Sequence, residues 1–76
     1  MKQKIEKLMA ELFDIKNEDV TDSLAMKDTN GWDSLKHMEL IVSIEQTFGI
    51  ELAFEEIVAM QTLKDIKKIL KEKGID

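Results

Sequence analysis

The stretch Gly31-Trp32-Asp33-Ser34-Leu35, followed by the apolar segment from Lys36 to Phe48, is the part of the chain around which the rest is organised. It joins a long polar loop to a strongly patterned helix, which we expect to begin at Asp33 or Ser34 and to end near Phe48. The first N–H groups of a helix lack partners within the helix, and its dipole places positive potential there. We therefore interpret Ser34 as a side chain suited to carry a phosphate ester rather than as a catalyst.

The length and composition predict one domain with a small core, covering residues 1–76. The chain contains no Cys, which excludes a disulfide framework and a thiolate metal site. Its first residues form no apolar run long enough for a signal peptide, and no later segment is apolar enough to cross a bilayer. We expect a soluble, cytoplasmic monomer.

The charge of the chain argues against nucleic-acid binding. The net charge is −5 and Arg is absent, whereas affinity for a phosphate backbone comes from clusters of Lys and Arg. Seven acids and the single Lys36 fall between residues 28 and 60: Asp28, Asp33, Glu39, Glu45, Glu51, Glu55 and Glu56. This acidic middle favours partners with basic docking patches; a charged face that serves solubility alone is the alternative.

Four helices are predicted from the periodicity of apolar residues. The first covers Lys2–Lys16 and closes at Asn17, which tolerates a left-handed conformation. Its apolar stripe consists of Ile5, Leu8, Met9, Leu12 and Phe13. The polar loop Asn17–Asp33 is unusually long for a compact domain, and its spaced apolar residues predict that it is pinned to the helices. These residues are Val20, Leu24 and Met26.

At about 100° per residue, the second helix has a broad core face and a narrow outward apolar face. The predicted core face holds Met38, Leu40, Ile41, Ile44 and Phe48. Leu35 and Val42 fall on the opposite side, next to Glu39, where a docking stripe is one interpretation and scattered surface hydrophobes another. Gly49 is expected to end this helix.

The rest of the chain predicts a connector and two further helices. Residues 50–54 are expected to form an extended connector rather than a strand, since no second strand is available. A short third helix, Phe54–Met60, is predicted to turn Phe54, Ile57 and Val58 inward. The last helix begins with Thr62 as its cap and Asp65 at the third position, and Gly74 stops it. Its apolar stripe is Leu63, Ile66, Ile69 and Leu70.

The residues that could carry chemistry are few. His37 follows Ser34 by three positions, but a Ser–His pair also needs an orienting acid and a buried pocket, so we expect His37 to be a polar residue at the core edge or a partner contact. Residues 28–39 have the length of a calcium loop, yet the required Gly at its sixth position is Asp33, and we expect no metal site. Ser34 could also act as a helix cap and nothing more.

The combined pattern resembles the acyl carrier proteins. The resemblance rests on Asp33-Ser34-Leu35, the preceding Gly31-Trp32, and the later segments Met38-Glu39-Leu40, Ile44-Glu45 and Phe48-Gly49-Ile50. It extends over essentially the whole chain. It implies an all-α four-helix bundle with three longer helices, one short helix, a long loop between the first two, and a core able to shelter an acyl chain.

The resemblance also implies a cofactor and partners. In the family, the serine of Asp-Ser-Leu carries 4′-phosphopantetheine from coenzyme A, which maps to Ser34 alone. Asp33 would then serve recognition by the phosphopantetheinyl transferase (the holo-carrier-protein synthase), and acyl-transferring, ketosynthase-type or acyl-activating enzymes would be further partners. The remaining docking positions implied are Leu35, Glu39, Val42, Glu45, Glu55 and Glu56. The chain itself would not be an enzyme.

The pathway is less determined than the attachment residue. Carriers of primary fatty-acid synthesis usually have more acid after Asp-Ser-Leu, whereas Lys36 and His37 follow here, and the Gly-Trp-Asp-Ser-Leu form resembles standalone, specialised carriers. Fatty-acid, lipid and specialised polyketide-like biosynthesis all stay open. A function of another class is a helical adaptor without a cofactor, which would bind a partner through Leu35 and Val42.

Overall fold

The computed structural model describes residues 4–75, which fold into four helices joined by irregular segments. The helices are α1 (Lys4–Phe13), α2 (Ser34–Phe48), α3 (Phe54–Ala59) and α4 (Leu63–Glu72). No strand is formed between residues 4 and 75; one isolated antiparallel bridge joins Ala25 to Thr62. The predicted all-α class, with three longer helices and one short one, is confirmed.

Helix α1 is shorter at its C-terminal end than predicted. It buries Ile5, Met9 and Ala10 and ends at Phe13. The left-handed residue after it is Asp14, with φ 54°, so the prediction that Asn17 closes the helix is wrong. Asp shares with Asn a short polar side chain that tolerates this conformation. The start predicted at residues 2 and 3 lies outside the described residues.

The long loop is pinned to the helices, as its spaced apolar residues predicted. Val20 is fully buried, and two short 3-10 turns interrupt the loop at Asn17–Asp19 and Met26–Asp28. Backbone hydrogen bonds then tie it to the start of α4: the N–H of Met26 donates to Gln61 O at 2.8 Å, and the N–H of Leu63 donates to Leu24 O at 2.9 Å. These bonds hold the middle of the loop against the start of α4.

Helix α2 has the predicted limits, but its core face is narrower than expected. Leu40, Ile41 and Ile44 are buried, while Phe48 packs against the core from its edge. Met38, which was predicted inward, is exposed. On the helical wheel Met38 lies at the margin of the predicted arc, and His37 occupies its centre and is buried instead. Gly49 ends the helix with φ 65°, as predicted.

The segment around α3 differs most from the prediction. Phe54 is 77% exposed and Val58 is also exposed, so both were wrongly predicted to point inward. The core positions here are filled by Leu52 before the helix and Met60 after it, and both are buried. Because these flanking residues occupy the core, the six-residue helix needs to contribute only Ile57, which packs against it.

Helix α4 matches its prediction closely. The hydroxyl of Thr62 accepts a hydrogen bond from the N–H of Asp65 at 3.1 Å, which caps the helix. All four residues of its predicted stripe are buried: Leu63, Ile66, Ile69 and Leu70. Gly74 adopts φ 86°, and the N–H of the following Ile75 donates to Leu70 O at 2.9 Å, which closes the helix end.

One lysine joins α1, the loop and α4. Lys67 Nζ lies 3.2 Å from Glu6 Oε2 and 2.6 Å from Asp22 Oδ1; we call these two ion pairs the Lys67 clamp. Burial of the ammonium by itself lowers the pKa of Lys67, but the hydrogen bonds to Asp22 and Glu6 outweigh it and raise the pKa above its usual 10.5. The clamp therefore holds the first half of the loop against two helices.

Candidate functional site

Ser34 is the first residue of α2, and its hydroxyl faces solvent. The cap of the helix is the preceding Asp33, whose backbone is extended and whose Oδ1 accepts a hydrogen bond from the N–H of Lys36 at 2.9 Å. The interpretation of Ser34 as the cap is therefore wrong, because Asp33 already fills that role. No hydrogen bond to the Ser34 side chain is formed by any residue between 4 and 75. This hydroxyl is free for modification.

The backbone around Ser34 suits an anion. Asp33 takes up two of the N–H groups of the first turn: its side chain binds the N–H of Lys36, and its carbonyl accepts from the N–H of His37 at 2.8 Å. The N–H groups of Ser34 and Leu35 have no acceptor within the described part of the chain. They lie at the positive end of a 15-residue helix, where a phosphate group on Ser34 is favoured. The carboxylate of Asp33 opposes this attraction in part.

His37 is not a base for Ser34. Its ring is 8% exposed, and its Nδ1 accepts a hydrogen bond from Trp32 Nε1 at 3.0 Å. Its Nε2 lies 2.9 Å from the carbonyl oxygen of Ile57 in α3. Because the indole only donates and the carbonyl only accepts, both bonds together require the neutral ring with its proton on Nε2. Both ring nitrogens are therefore occupied, and the burial of the ring also rules out the alternative of a partner contact.

Trp32, which the sequence analysis used only as part of a motif, is a core residue. It is buried, and its ring lies 5.1 Å from that of Phe13 at the end of α1 and stacks on His37 at 6.1 Å. Aromatic pairs at these distances stabilise a fold beyond the area they bury. Trp32 therefore fixes the chain two residues before Ser34 to both α1 and α2.

The predicted outward face of α2 is present. Leu35 is 72% exposed and Val42 is also exposed, and both line a shallow, largely apolar groove next to Ser34. Met38 lies in the same groove, as does Leu12 from α1. Sequence reasoning missed Met38, although its position on the helical wheel, 40° from Val42, was the signal that could have found it. It also missed Phe54 and Val58 as exposed residues of α3.

The two predicted docking acids of α2 hold positions set by contacts within the chain. Glu39 forms an exposed ion pair with Lys36 at 3.3 Å. Glu45 Oε2 accepts a hydrogen bond from the N–H of Leu52 at 2.9 Å, which ties α2 to the connector. The positive charge of Lys36 thus partly offsets the negative charge of Glu39. The carboxylate of Glu45 is held in one position by its backbone hydrogen bond.

The two acids of α3 differ from each other. Glu55 is exposed. Glu56 Oε1 accepts a hydrogen bond from the N–H of Ala53 at 2.8 Å and lies 3.0 Å from Nζ of Lys73, the residue that follows α4. The backbone hydrogen bond, followed by Lys73, lowers the pKa of Glu56 below its usual 4.5. Glu56 therefore has a structural contact as well as a predicted docking position.

Two further observations concern the described residues as a whole. Between residues 4 and 75, no helix combines the length and the apolar character needed to cross a membrane. In the same range, no three His, Asp or Glu side chains are grouped so that they could hold a metal ion.

The comparison with protein families agrees with this geometry. The model of the phosphopantetheine attachment site matches residues 3–70, which is nearly the whole chain and includes Ser34. Carrier domains of this kind are not catalytic themselves; they interact with a phosphopantetheinyl transferase and with biosynthetic enzymes. The free hydroxyl and the anion-favouring end of α2 fit such a group. The chain therefore belongs to the phosphopantetheine attachment-site family, as an acyl carrier protein does, and its cofactor is covalently bound 4′-phosphopantetheine.

Proposed function

We propose that Ser34 is the attachment residue and that the chain, as one domain over residues 1–76, is an acyl carrier protein without activity of its own. The observation that carries the proposal is the hydroxyl of Ser34 at the first position of α2, which has no partner among residues 4–75 and lies beside two N–H groups that find no acceptor there, in a chain that matches the attachment-site family. The other serines do not stand at the start of a helix: Ser23 lies in the loop and Ser43 lies within α2.

The cofactor supplies a thiol, which the chain itself lacks, and this thiol holds acyl groups as thioesters. The protein's part is to position and to present. The first turn of α2 favours the phosphate, Asp33 orders that turn by capping it, and Trp32 anchors the preceding loop in the core. The acyl group is thereby offered to successive enzymes from a rigid helix end.

For the partner surface we propose the face around Ser34. Leu35 and Val42 supply exposed apolar side chains, and Glu45 and Glu56 supply carboxylates that are held by backbone hydrogen bonds. The proposed contacts are Asp33, Leu35, Glu39, Val42, Glu45, Glu55 and Glu56. The Lys36–Glu39 pair lowers the negative charge of this face, which supports a specialised pathway over primary fatty-acid synthesis. A cytoplasmic location and a monomeric state fit the proposal.

The attachment is tested by mass. Incubation of the purified chain with a broad-specificity phosphopantetheinyl transferase, Mg²⁺ and coenzyme A is expected to add one phosphopantetheine. Ser34→Ala is expected to abolish this addition, while the matched control Ser43→Ala, on the same helix, keeps it. Modification of the Ser34→Ala protein, or an unmodified folded wild type, would overturn the assignment. A helical adaptor without a cofactor predicts the second of these results.

The pathway assignment has a separate test. Lys36→Glu removes the charge that offsets Glu39 and adds negative charge next to Leu35. If Lys36 excludes enzymes of fatty-acid synthesis, the variant is expected to bind a ketosynthase of that pathway more tightly at low ionic strength. Lys64→Glu, at an exposed position of α4, is the control for net charge. Equal binding by wild type and both variants would refute the role of Lys36.

A further inference from the structure

Asn30 and Gly31 form the tip of the turn that precedes Trp32, and both residues are exposed. The φ of Gly31 is 87°, which fits the third position of a type II turn, where a positive φ is required. One backbone hydrogen bond closes the turn, from the N–H of Trp32 to Thr29 O, and its length of 3.2 Å is at the long end of the usual range. The tip of the turn is therefore held by a single contact.

The side-chain amide of Asn30 and the backbone nitrogen of Gly31 are both unengaged. Neither group has a hydrogen-bond partner among residues 4–75. A methyl group at Gly31 would meet no atom within 4 Å beyond its chain neighbours, so the space around this backbone is open. Glycine also has no side chain that shields its own nitrogen. Because opening the turn costs only one hydrogen bond, the nitrogen of Gly31 can approach Asn30 Cγ in the otherwise folded chain.

The other asparagine, Asn17, provides a comparison within the same loop. It is exposed as well, so exposure alone does not distinguish the two residues. It is followed by Glu18 and begins a short 3-10 turn, in which its carbonyl accepts a hydrogen bond from the N–H of Val20 at 3.2 Å. The side chain of Glu18 hinders the approach of its nitrogen to the amide of Asn17, whereas Gly31 presents no such obstacle to Asn30.

From these observations we propose that Asn30 is a site of spontaneous covalent modification. The nitrogen of Gly31 gives up its proton and attacks Asn30 Cγ. A C–N bond forms, the bond from Cγ to Nδ2 breaks, and Nδ2 leaves as ammonia with that proton. The cyclic imide then takes up one water. Opening at Cγ gives aspartate, whereas opening at the backbone carbonyl gives isoaspartate, in which the main chain runs through Cβ and Cγ. Neither step requires an oxidant or a reductant.

The isoaspartyl product adds one carbon to the main chain inside a turn whose two ends are anchored. At one end, Thr29 Oγ1 donates to Ala25 O at 2.6 Å; at the other, the buried Trp32 donates to His37 Nδ1 at 3.0 Å. The longer main chain no longer fits the type II turn, so it displaces Trp32 from these contacts. The isoaspartyl form is therefore a poorer substrate for the transferase. This consequence rests on the proposed attachment at Ser34, whereas the modification itself does not.

The modification is measured by incubating the purified chain in mildly alkaline buffer and mapping its peptides by mass spectrometry. Conversion at Asn30 is expected to be roughly tenfold faster than at Asn17, because the glycine after Asn30 leaves its nitrogen unshielded. Labelling by an isoaspartyl methyltransferase identifies the isoaspartyl product. Asn30→Gln is expected to abolish the fast conversion, and the matched control Asn17→Gln is expected to keep it. Equal rates at the two asparagines, or fast conversion in Asn30→Gln, would overturn the proposal.

The consequence is measured on the isoaspartyl form after chromatographic separation. Trp32 is the only tryptophan of the chain, so its fluorescence reports its burial. The isoaspartyl form is expected to emit at longer wavelength and to gain phosphopantetheine more slowly at limiting transferase. Asn30→Asp carries the same charge on an ordinary main chain and is expected to match the wild type in both measurements.

An isoaspartyl form that equals the wild type in either measurement, or an Asn30→Asp protein that is equally impaired, would refute the effect of the longer main chain. A folded wild type that the transferase leaves at its original mass would refute the attachment at Ser34, while the conversion measured at Asn30 would stand.

Discussion

The Lys67 clamp offers a quantitative test of how the loop before Ser34 is held. Lys67→Met removes the ammonium and keeps most of the unbranched stem, so the packing of the stem changes little. The variant deprives Glu6 and Asp22 of one charged partner each. Because Glu6 lies on α1 and Asp22 in the loop, the two losses are separable by further substitutions.

The expected cost follows from the exposure of the three side chains. The side chain of Asp22 is 61% exposed, so its pair is worth about 0.5 kcal/mol. The side chains of Glu6 and Lys67 are 13% and 26% exposed, and a hydrogen bond between such shielded charges is worth about 1.5 kcal/mol. The sum of about 2 kcal/mol corresponds to a fall in Tm of roughly 10 °C for a chain of this size.

Urea unfolding of a double-mutant cycle measures each pair separately. The coupling of Lys67→Met with Glu6→Gln is expected to be about 1 kcal/mol or more, and that with Asp22→Asn below ~0.5 kcal/mol. The shorter distance belongs to the weaker pair, so the two criteria, distance and burial, predict opposite orders. A larger coupling with Asp22 than with Glu6 would refute the argument from burial, and a Lys67→Met protein as stable as the wild type would refute the clamp.

The clamp also has a pH signature. The folded-state pKa of Lys67 is raised above 10.5, so its stabilisation is fully present below pH 10.5 and is lost as the pH rises through the higher folded value. The stability difference between wild type and Lys67→Met is therefore expected to be constant near neutrality and to shrink only in strongly alkaline solution. A difference that shrinks between pH 6 and pH 8 would assign the effect to another group.

Two further predictions concern the core and the α3–α4 contact. Ile66→Ala, at a fully buried position, is expected to lower the free energy of unfolding by about 3 kcal/mol, whereas Lys64→Ala on the exposed side of α4 changes it by less than ~0.5 kcal/mol in the same denaturation assay. The pKa of Glu56 is lowered, so its stabilisation is present above pH 4.5 and is lost as the pH falls through the folded value. Lys73→Met is expected to reduce the fall in Tm that occurs as the pH drops below 4.5. The same fall in the variant and the wild type would contradict this prediction.

The fold could be predicted where one dominant signal fixes each boundary. Gly49 and Thr62 were predicted correctly because positive φ and a capping hydroxyl are local requirements with few substitutes. The start of α2 was also predicted, although two adjacent residues competed for the cap. Asp33 won because its side chain reaches the N–H of Lys36, and this leaves Ser34 inside the helix.

Predictions of burial failed where tertiary contacts choose among equivalent residues. Periodicity allowed Met38 and His37 on the same broad face, and hydrophobicity alone favoured Met38. The buried residue is His37, since Trp32 and the carbonyl of Ile57 satisfy both of its nitrogens. Periodicity in a single sequence does not reveal this pairing, because Trp32 lies 5 positions before His37 and Ile57 lies 20 positions after it.

At the site, sequence reasoning found the position but not its surroundings. Ser34, Leu35 and Val42 follow from a motif and a helical wheel. The contacts of three acids do not follow from either, because they depend on where the side chains reach in the folded chain. These contacts are Glu39 with Lys36, Glu45 with Leu52, and Glu56 with Ala53. The number of acids therefore overstates how many carboxylates on this face are free of contacts within the chain.

The backbone bonds between residues 22–26 and residues 61–64 have a consequence for synthesis of the protein. Residues 22–26 find these partners only after the ribosome has made the start of α4, near the end of the chain. A nascent chain halted before Gln61 contains Ser34, all of α2 and the contacts of Trp32 with Phe13 and His37, but it lacks the groups that hold the middle of the loop. An enzyme that requires residues 22–26 to be ordered would therefore act only on chains whose translation is almost complete.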